Sequence, residues 1–152
     1  LLDIPVRFEF EKALYEERLK GELSVSRLKE IMSHTQRRVL GEVLEPHGED
    51  PYFWASKLHF YITGVTFYNF PYTFGYLLSR GLYAMFKKEG AAFLPSYEEL
   101  LRRAGSDSAE SVVRQTVGTD LESEHFWAGA IRSLEEPLQQ LEALLPKVLP
   151  QA

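Results

Sequence analysis

Cysteine is absent from this chain of 152 residues, which removes disulfides, zinc ribbons and thiol nucleophiles together. That absence fits a reducing compartment, and a cytoplasmic location is the expectation. Positive charge is not in excess: 17 Lys and Arg against 22 Asp and Glu leave a net charge of −5. A general nucleic-acid binder needs a basic face to neutralise phosphates, so that class is excluded. No uninterrupted apolar run approaches the ~18 residues of a membrane span. No charged segment followed by an apolar one marks a leader at the start either. The sequence opens on "LLDIPVRFEF", without methionine and already inside an apolar run, which reads as part of a larger protein. Several catalytic signatures are also missing. There is no H-E-x-x-H, no G-x-S-x-G elbow, no glycine-rich phosphate loop, and no kinase or dinucleotide pattern.

What remains is an ordinary globular composition, with 45% hydrophobic and 26% charged residues, and a length that suits one domain with a real core. The apolar periodicity is helical nearly throughout. Over residues 5–20, Val6, Phe10, Ala13 and Leu14 form one stripe and Phe8, Tyr15 and Leu19 a second, as in a helix contacted from two sides. Ser24 is placed to cap a second helix carrying Leu28, Ile31, Met32, Val39, Leu40 and Val43. That helix ends before the breaker cluster "EPHGEDP". A short helix is expected in "PYFWASKL", and residues 60–71 read mostly as loop.

Residues 72–89 are apolar nearly all round and predict the central, buried helix. Gly75, Ser79 and Gly81 would let a neighbouring backbone approach it closely. Further helices are expected at about 95–104 and 108–117, separated by "AGSDS", with Gly105 as a stop and Ser106 or Asp107 as the next cap. A last helix over about 123–145 carries a seam from Phe126 to Leu145, kinked at Pro137. No strand alternation competes with these assignments, so the fold class is all-α, a multi-helix bundle.

Four histidines are present, at 34, 47, 59 and 125. No two have the spacing that puts a pair of imidazoles one helical turn apart, so no metal ligands are assigned. His34 and His47 read as surface residues and His125 as a cap or packing residue. The carboxylates lie along helix faces where solvation is the default explanation. One stretch stands out. "HFYITGVTFYNFPYTFGY", residues 59–76, packs one histidine, four tyrosines and four phenylalanines into 18 residues. Tyrosine O–H and histidine N–H groups there could donate to an oxygen that gains negative charge during amide hydrolysis. A loop holding Gly64 and Pro71 could close over a peptide. On the residues alone packing is the simpler explanation, because aromatic side chains fill cores and buried phenols find partners.

Three blocks carry a resemblance. "LLDIPVRFEFEKALYEERLKGELS", "DPYFWASKLHFYITGVTFYNFPYTFGYLLSRGLYA" and "YEELLRRAGSDS…GTDLESEHFW" resemble, in order, the C-terminal part of oligoendopeptidase F-type enzymes of the thimet-oligopeptidase superfamily. The resemblance implies that residues 1–152 are one helical subdomain, the C-terminal portion of a larger peptidase catalytic domain that cuts oligopeptides. In that family zinc is held by an H-E-x-x-H helix and a following glutamate, elements this chain lacks. No cofactor is therefore expected within it, although the complete enzyme uses zinc. By the same resemblance His59 and Tyr68 match catalytic positions, and Tyr72, Tyr76 and Gly64 match the substrate-binding loop. The isolated chain is then expected to be inactive, with a missing N-terminal half as its partner. The competing expectation is a stand-alone helical protein derived from that scaffold, which oligomerises or binds a partner without catalysis.

Overall fold

The computed structural model describes residues 2–148; Leu1 and residues 149–152 of the expected 1–152 span lie outside them. Among the described residues there are seven α-helices, four 3-10 turns and no strand, so the fold is all-α. The helices are α1 (Asp3–Arg18), α2 (Val25–Leu40), α3 (Phe70–Glu89), α4 (Leu94–Arg103), α5 (Ala109–Val117), α6 (Glu124–Arg132) and α7 (Glu135–Val148). The chain divides into two compact units, with the division between Phe74 and Gly75 inside α3.

The first unit is built on α1 packed against α2. Val6 and Phe10 of α1 meet Ile31 and Met32 of α2 in a core that Ala13, Leu14, Leu28, Val39 and Phe60 extend. Each of the four fully buried side chains contributes roughly 1.5–3 kcal/mol in transfer from water. Ser24 caps α2 as its sequence position implies, accepting from the Arg27 N–H at 3.2 Å. Buried Gln36 then ties the following segment down: its amide donates to the Asp50 carbonyl at 2.7 Å and accepts the Asp50 N–H at 3.0 Å. The expected helix in "PYFWASKL" is instead two short 3-10 turns, Phe53–Ser56 and Leu58–Tyr61. Pro51 removes one donor near its start. Phe60 is drawn to the core by an edge contact with Phe10, ring centroids 5.1 Å apart.

In the second unit α4 packs on α5 through Leu100, Val112 and Val113, and Leu82, Phe93, Leu121 and Ala130 are also buried. The α5 cap is Ser108, which accepts from the Ser111 N–H at 3.2 Å. The position expected for it was one or two residues earlier. Asp107 is occupied differently, accepting from the Ser108 N–H and the Ser111 hydroxyl, both at 2.7 Å. Two further expectations need correction. The single kinked helix over 123–145 is two helices, because a proline ring clashes with the carbonyl four residues earlier. For Pro137 that residue is Ser133, where α6 has already ended; Pro137 then falls in the first turn of α7, where its missing N–H costs nothing.

The second correction concerns α3, which is not a buried central helix. Only Gly81 and Leu82 are buried along it, while Tyr83 and Phe86 remain substantially exposed. Its small residues also act differently from one another. A Cβ at Gly81 would lie 2.3 Å from the Phe126 ring, so this glycine admits an aromatic side chain from α6 rather than a backbone. A Cβ at Gly75 would meet nothing within 4 Å, and the Ser79 hydroxyl donates back to the Tyr76 carbonyl at 2.8 Å.

Two alanine substitutions on this one helix should therefore have opposite signs in thermal or denaturant unfolding. Gly75→Ala should stabilise by about 0.4–1 kcal/mol, because it only restricts the unfolded chain. Gly81→Ala should destabilise by roughly 1–3 kcal/mol through overpacking, in spite of its helix-propensity gain. Equal stabilisation by both would show that Phe126 does not occupy the Gly81 notch.

Candidate functional site: a histidine–tyrosine cluster in the first unit

The loop over residues 62–69 joins the Leu58–Tyr61 turn to α3 and brings three of the aromatic side chains together. His59 stacks on Tyr68, with ring centroids 5.7 Å apart and planes inclined by 20°. Tyr72, in the first turn of α3, meets both rings edge-on, at 5.7 Å from His59 and 5.9 Å from Tyr68. The His59 Nε2 and the Tyr72 hydroxyl lie 3.3 Å apart. If the imidazole donates in that contact, the Tyr72 O–H stays free to donate elsewhere; the direction follows the tautomer. Tyr68 and Tyr72 are each close to half exposed and His59 is half buried. This is a wet aromatic surface, not a filled core.

Burial pushes the Tyr72 phenol above its ordinary value, and the neighbouring Tyr68 phenol adds to the shift. The Arg7 guanidinium of α1 acts in the opposite sense, favouring the phenolate. The net direction keeps Tyr72 a neutral O–H donor through the physiological range.

Sequence reasoning missed the group that holds this loop. Glu11 on α1 is 1% exposed. Its carboxylate accepts the Phe67 N–H at 2.7 Å and the Asn69 side-chain amide at 3.0 Å, the two residues on either side of Tyr68. Phe67 has a left-handed backbone, φ +55°, and its ring lies against Phe8 and Tyr15 with centroids at 5.7 and 5.3 Å. Partial burial, and then the Glu11 charge, raise the Tyr15 phenol as well. The sequence did hold a signal for Glu11, since it falls between the two apolar stripes of α1. A carboxylate so placed is covered only where both stripes find partners, and Arg18, two turns further along the same arc, stays exposed.

The other expected residues are placed less centrally. Gly64 lies in an exposed turn of the loop, and a Cβ there would meet nothing within 4 Å. Tyr76 belongs to the second unit and is 44% exposed, so it is not a core residue. His34 and His47 are exposed. His125 is exposed in the first turn of α6, where its N–H is held by the Ser123 hydroxyl at 3.3 Å. Among the described residues no three His, Cys, Asp or Glu side chains are grouped as metal ligands.

A larger hollow of about 610 Å³ in the first unit is lined by charged residues of α1 and α2 and includes none of the cluster. Most of its charges are paired, Arg27 with Glu17 and Glu30, Arg37 with Glu49, and Arg38 with Glu9. That groove offers a solvated ionic surface, and the aromatic cluster remains the candidate site. No helix of the described residues is long and apolar enough to cross a membrane.

Comparison with known proteins gives one curated relative. The chain is 28% identical over 141 residues to "Oligopeptidase PepF" of Bacillus subtilis (strain 168). The match covers 92% of this chain and 20% of the relative, so the chain spans about one fifth of the length of that protein. No family model matches the chain, and no solved structure does.

Two phenols should titrate late. Stability that depends on a neutral Tyr72 or Tyr15 is fully present below pH ~10, the unfolded phenol value, and is lost as pH rises through the higher folded value. Phenolate absorbance followed against pH should show a late component that Tyr72→Phe and Tyr15→Phe each diminish. A titration unchanged by both substitutions would contradict the burial assigned to these groups.

Proposed function

We propose that this chain forms one wall of an oligopeptide-hydrolysing site, in which His59 and Tyr68 bind the oxygen that becomes negative at the scissile carbonyl. Tyr72 assists as a second phenolic donor, and Gly64 belongs to the surrounding peptide-binding surface; Tyr76, which the resemblance also matched, falls in the second unit and is not part of this cluster. The observation that carries this reading is the convergence of His59, Tyr68 and Tyr72 within ring contact of one another while half open to solvent. The similarity to an oligopeptidase over nearly the whole chain supports the substrate class.

The chemistry follows from the donors. When a water adds to a peptide carbonyl, the carbonyl oxygen acquires negative charge, and donors already oriented towards it stabilise the transition state more than the ground state. Phenols are poor general acids at neutral pH, so the tyrosines act by hydrogen bonding and not by giving up a proton. A segment that this chain does not contain supplies the group that activates water.

Apolar surface elsewhere agrees with an assembly completed by another segment. Leu138, Leu141, Leu144, Leu145 and Val148 of α7 are each between 42% and 77% exposed. In the second unit Tyr83, Phe86, Leu94 and Tyr97 surround an open hollow of about 380 Å³. Contiguous apolar faces of this kind favour coverage by protein. They also support the second reading, a helical module that binds a partner or a second copy without catalysis.

Kinetics separate the two. In a polypeptide that joins this chain to the water-activating segment, Tyr68→Phe and His59→Ala should each lower kcat by roughly 10²–10³. KM should change less, because the lost interaction belongs to the transition state. An effect confined to KM would reassign these residues to uniform substrate binding. The 152-residue chain alone should not cleave a quenched oligopeptide; chelator-sensitive cleavage by it would overturn the division of labour proposed here.

A further inference from the structure

We propose that Glu11 is the positioning residue of the aromatic cluster: by binding the backbone of Phe67 and the side chain of Asn69 it sets how Tyr68 stacks on His59. The inference rests on the reading of His59 and Tyr68 as donors to a substrate oxygen, and it adds a residue from α1 that touches neither substrate nor reacting atoms. Tyr68 is bracketed by the two groups that Glu11 holds, at 2.7 and 3.0 Å. Both flanking residues accept a local cost. Phe67 adopts a left-handed backbone that a residue with a Cβ rarely enters. Asn69 is fully buried, and turning its amide N–H towards the carboxylate leaves its own Oδ1 without a partner. Local strain and an unsatisfied polar atom on both sides of a single side chain mark a position that the surrounding structure over-determines. The side chain between them is the phenol stacked on His59.

The chemistry of the pair provides a test with a built-in rescue. A carboxylate accepts both bonds. The amide of Glu11→Gln can still accept the Phe67 N–H with its oxygen, and its NH2 can donate to Asn69 Oδ1 once the Asn69 amide turns over. Asn69→Asp, in contrast, sets two carboxylates against each other, and adding Glu11→Gln removes the conflict. His59 ring resonances report the stack directly, because they feel the Tyr68 ring current.

The experiment is NMR on the 152-residue chain at one fixed pH and well below the unfolding temperature of each variant. Glu11→Ala should displace the His59 resonances and speed hydrogen exchange at the Phe67 amide about tenfold, the effect of losing one hydrogen bond. Glu11→Gln should leave the resonances near their original positions. Asn69→Asp should displace them, and Glu11→Gln/Asn69→Asp should bring them back, a non-additivity that independent sites do not show. Met32→Ala, which empties core volume on α2 without removing either bond, should lower thermal stability and leave His59 in place.

Unmoved His59 resonances in folded Glu11→Ala would overturn the proposal. So would equal displacement by Met32→Ala, or no rescue of Asn69→Asp by Glu11→Gln. Should Glu11→Ala fail to fold, Asn69→Asp and the double variant decide. None of these signals requires a substrate, so failure here is distinct from a failure of the oxyanion reading, which the kcat of Tyr68→Phe reports.

Discussion

A carboxylate shut away from water is costly unless its oxygens are bonded, and the first unit resolves that constraint at Glu11 by drawing a loop onto α1. The Phe67 N–H and the Asn69 amide are the donors, and meeting them fixes the backbone on both sides of Tyr68. Bonds to a charged acceptor contribute more than neutral ones, roughly 1.5–3 kcal/mol each, enough to hold Phe67 in its left-handed conformation. The ring of Phe67 is then delivered between Phe8 and Tyr15 of the second apolar stripe; Leu19, expected in the same stripe, follows the end of α1 and is 89% exposed. The two stripes read in the sequence thus have separate partners. Val6 and Phe10 face α2, whereas Phe8 and Tyr15 face the loop.

That division sorts the side chains of one aromatic stretch into two sets. Phe60 and Phe67 turn inward and anchor the start and the middle of the segment to α1. His59, Tyr68 and Tyr72 turn outward, and each touches the other two. These two phenylalanines are supports, whereas Phe70 is exposed, as Tyr68 and Tyr72 are. In the proposed role, the donors stabilise a developing oxyanion only if they are fixed before the substrate oxygen arrives. Rings that pack on each other lose less freedom on binding than flexible polar side chains would.

The second unit follows a different logic, in which small and cyclic residues decide where helices run. Gly81 leaves a notch that the Phe126 ring fills. Ser133 closes α6 and receives the Arg80 guanidinium from α3 at its hydroxyl, 3.1 Å away, and at its carbonyl. With Ser133 engaged and Pro137 four residues on, the chain starts a new helix, α7. Its leucines recur at helical spacing and remain half exposed.

The sequence by itself determined the all-α class, most helix limits, the Ser24 cap and the concentration of candidate chemistry in residues 59–76. These are properties of local spacing, and helical periodicity and capping act within a few residues. Resemblance to a peptidase family singled out His59, Tyr68, Tyr72, Tyr76 and Gly64 from that stretch, and His59, Tyr68 and Tyr72 form the ring cluster. Only the tertiary structure decided that these three converge and that Tyr76 belongs to the other unit. It also decided that Glu11, one carboxylate among 22 acidic residues, is buried and bonded to Phe67 and Asn69. The physical reason is sequence distance. Glu11 and Asn69 are 58 residues apart, and no local pattern on α1 specifies which distant donors will meet a carboxylate lodged between two apolar stripes. The same holds for α3, whose composition predicts a buried helix. A helix is buried only to the extent that other elements cover it, and that coverage is not written in its own residues.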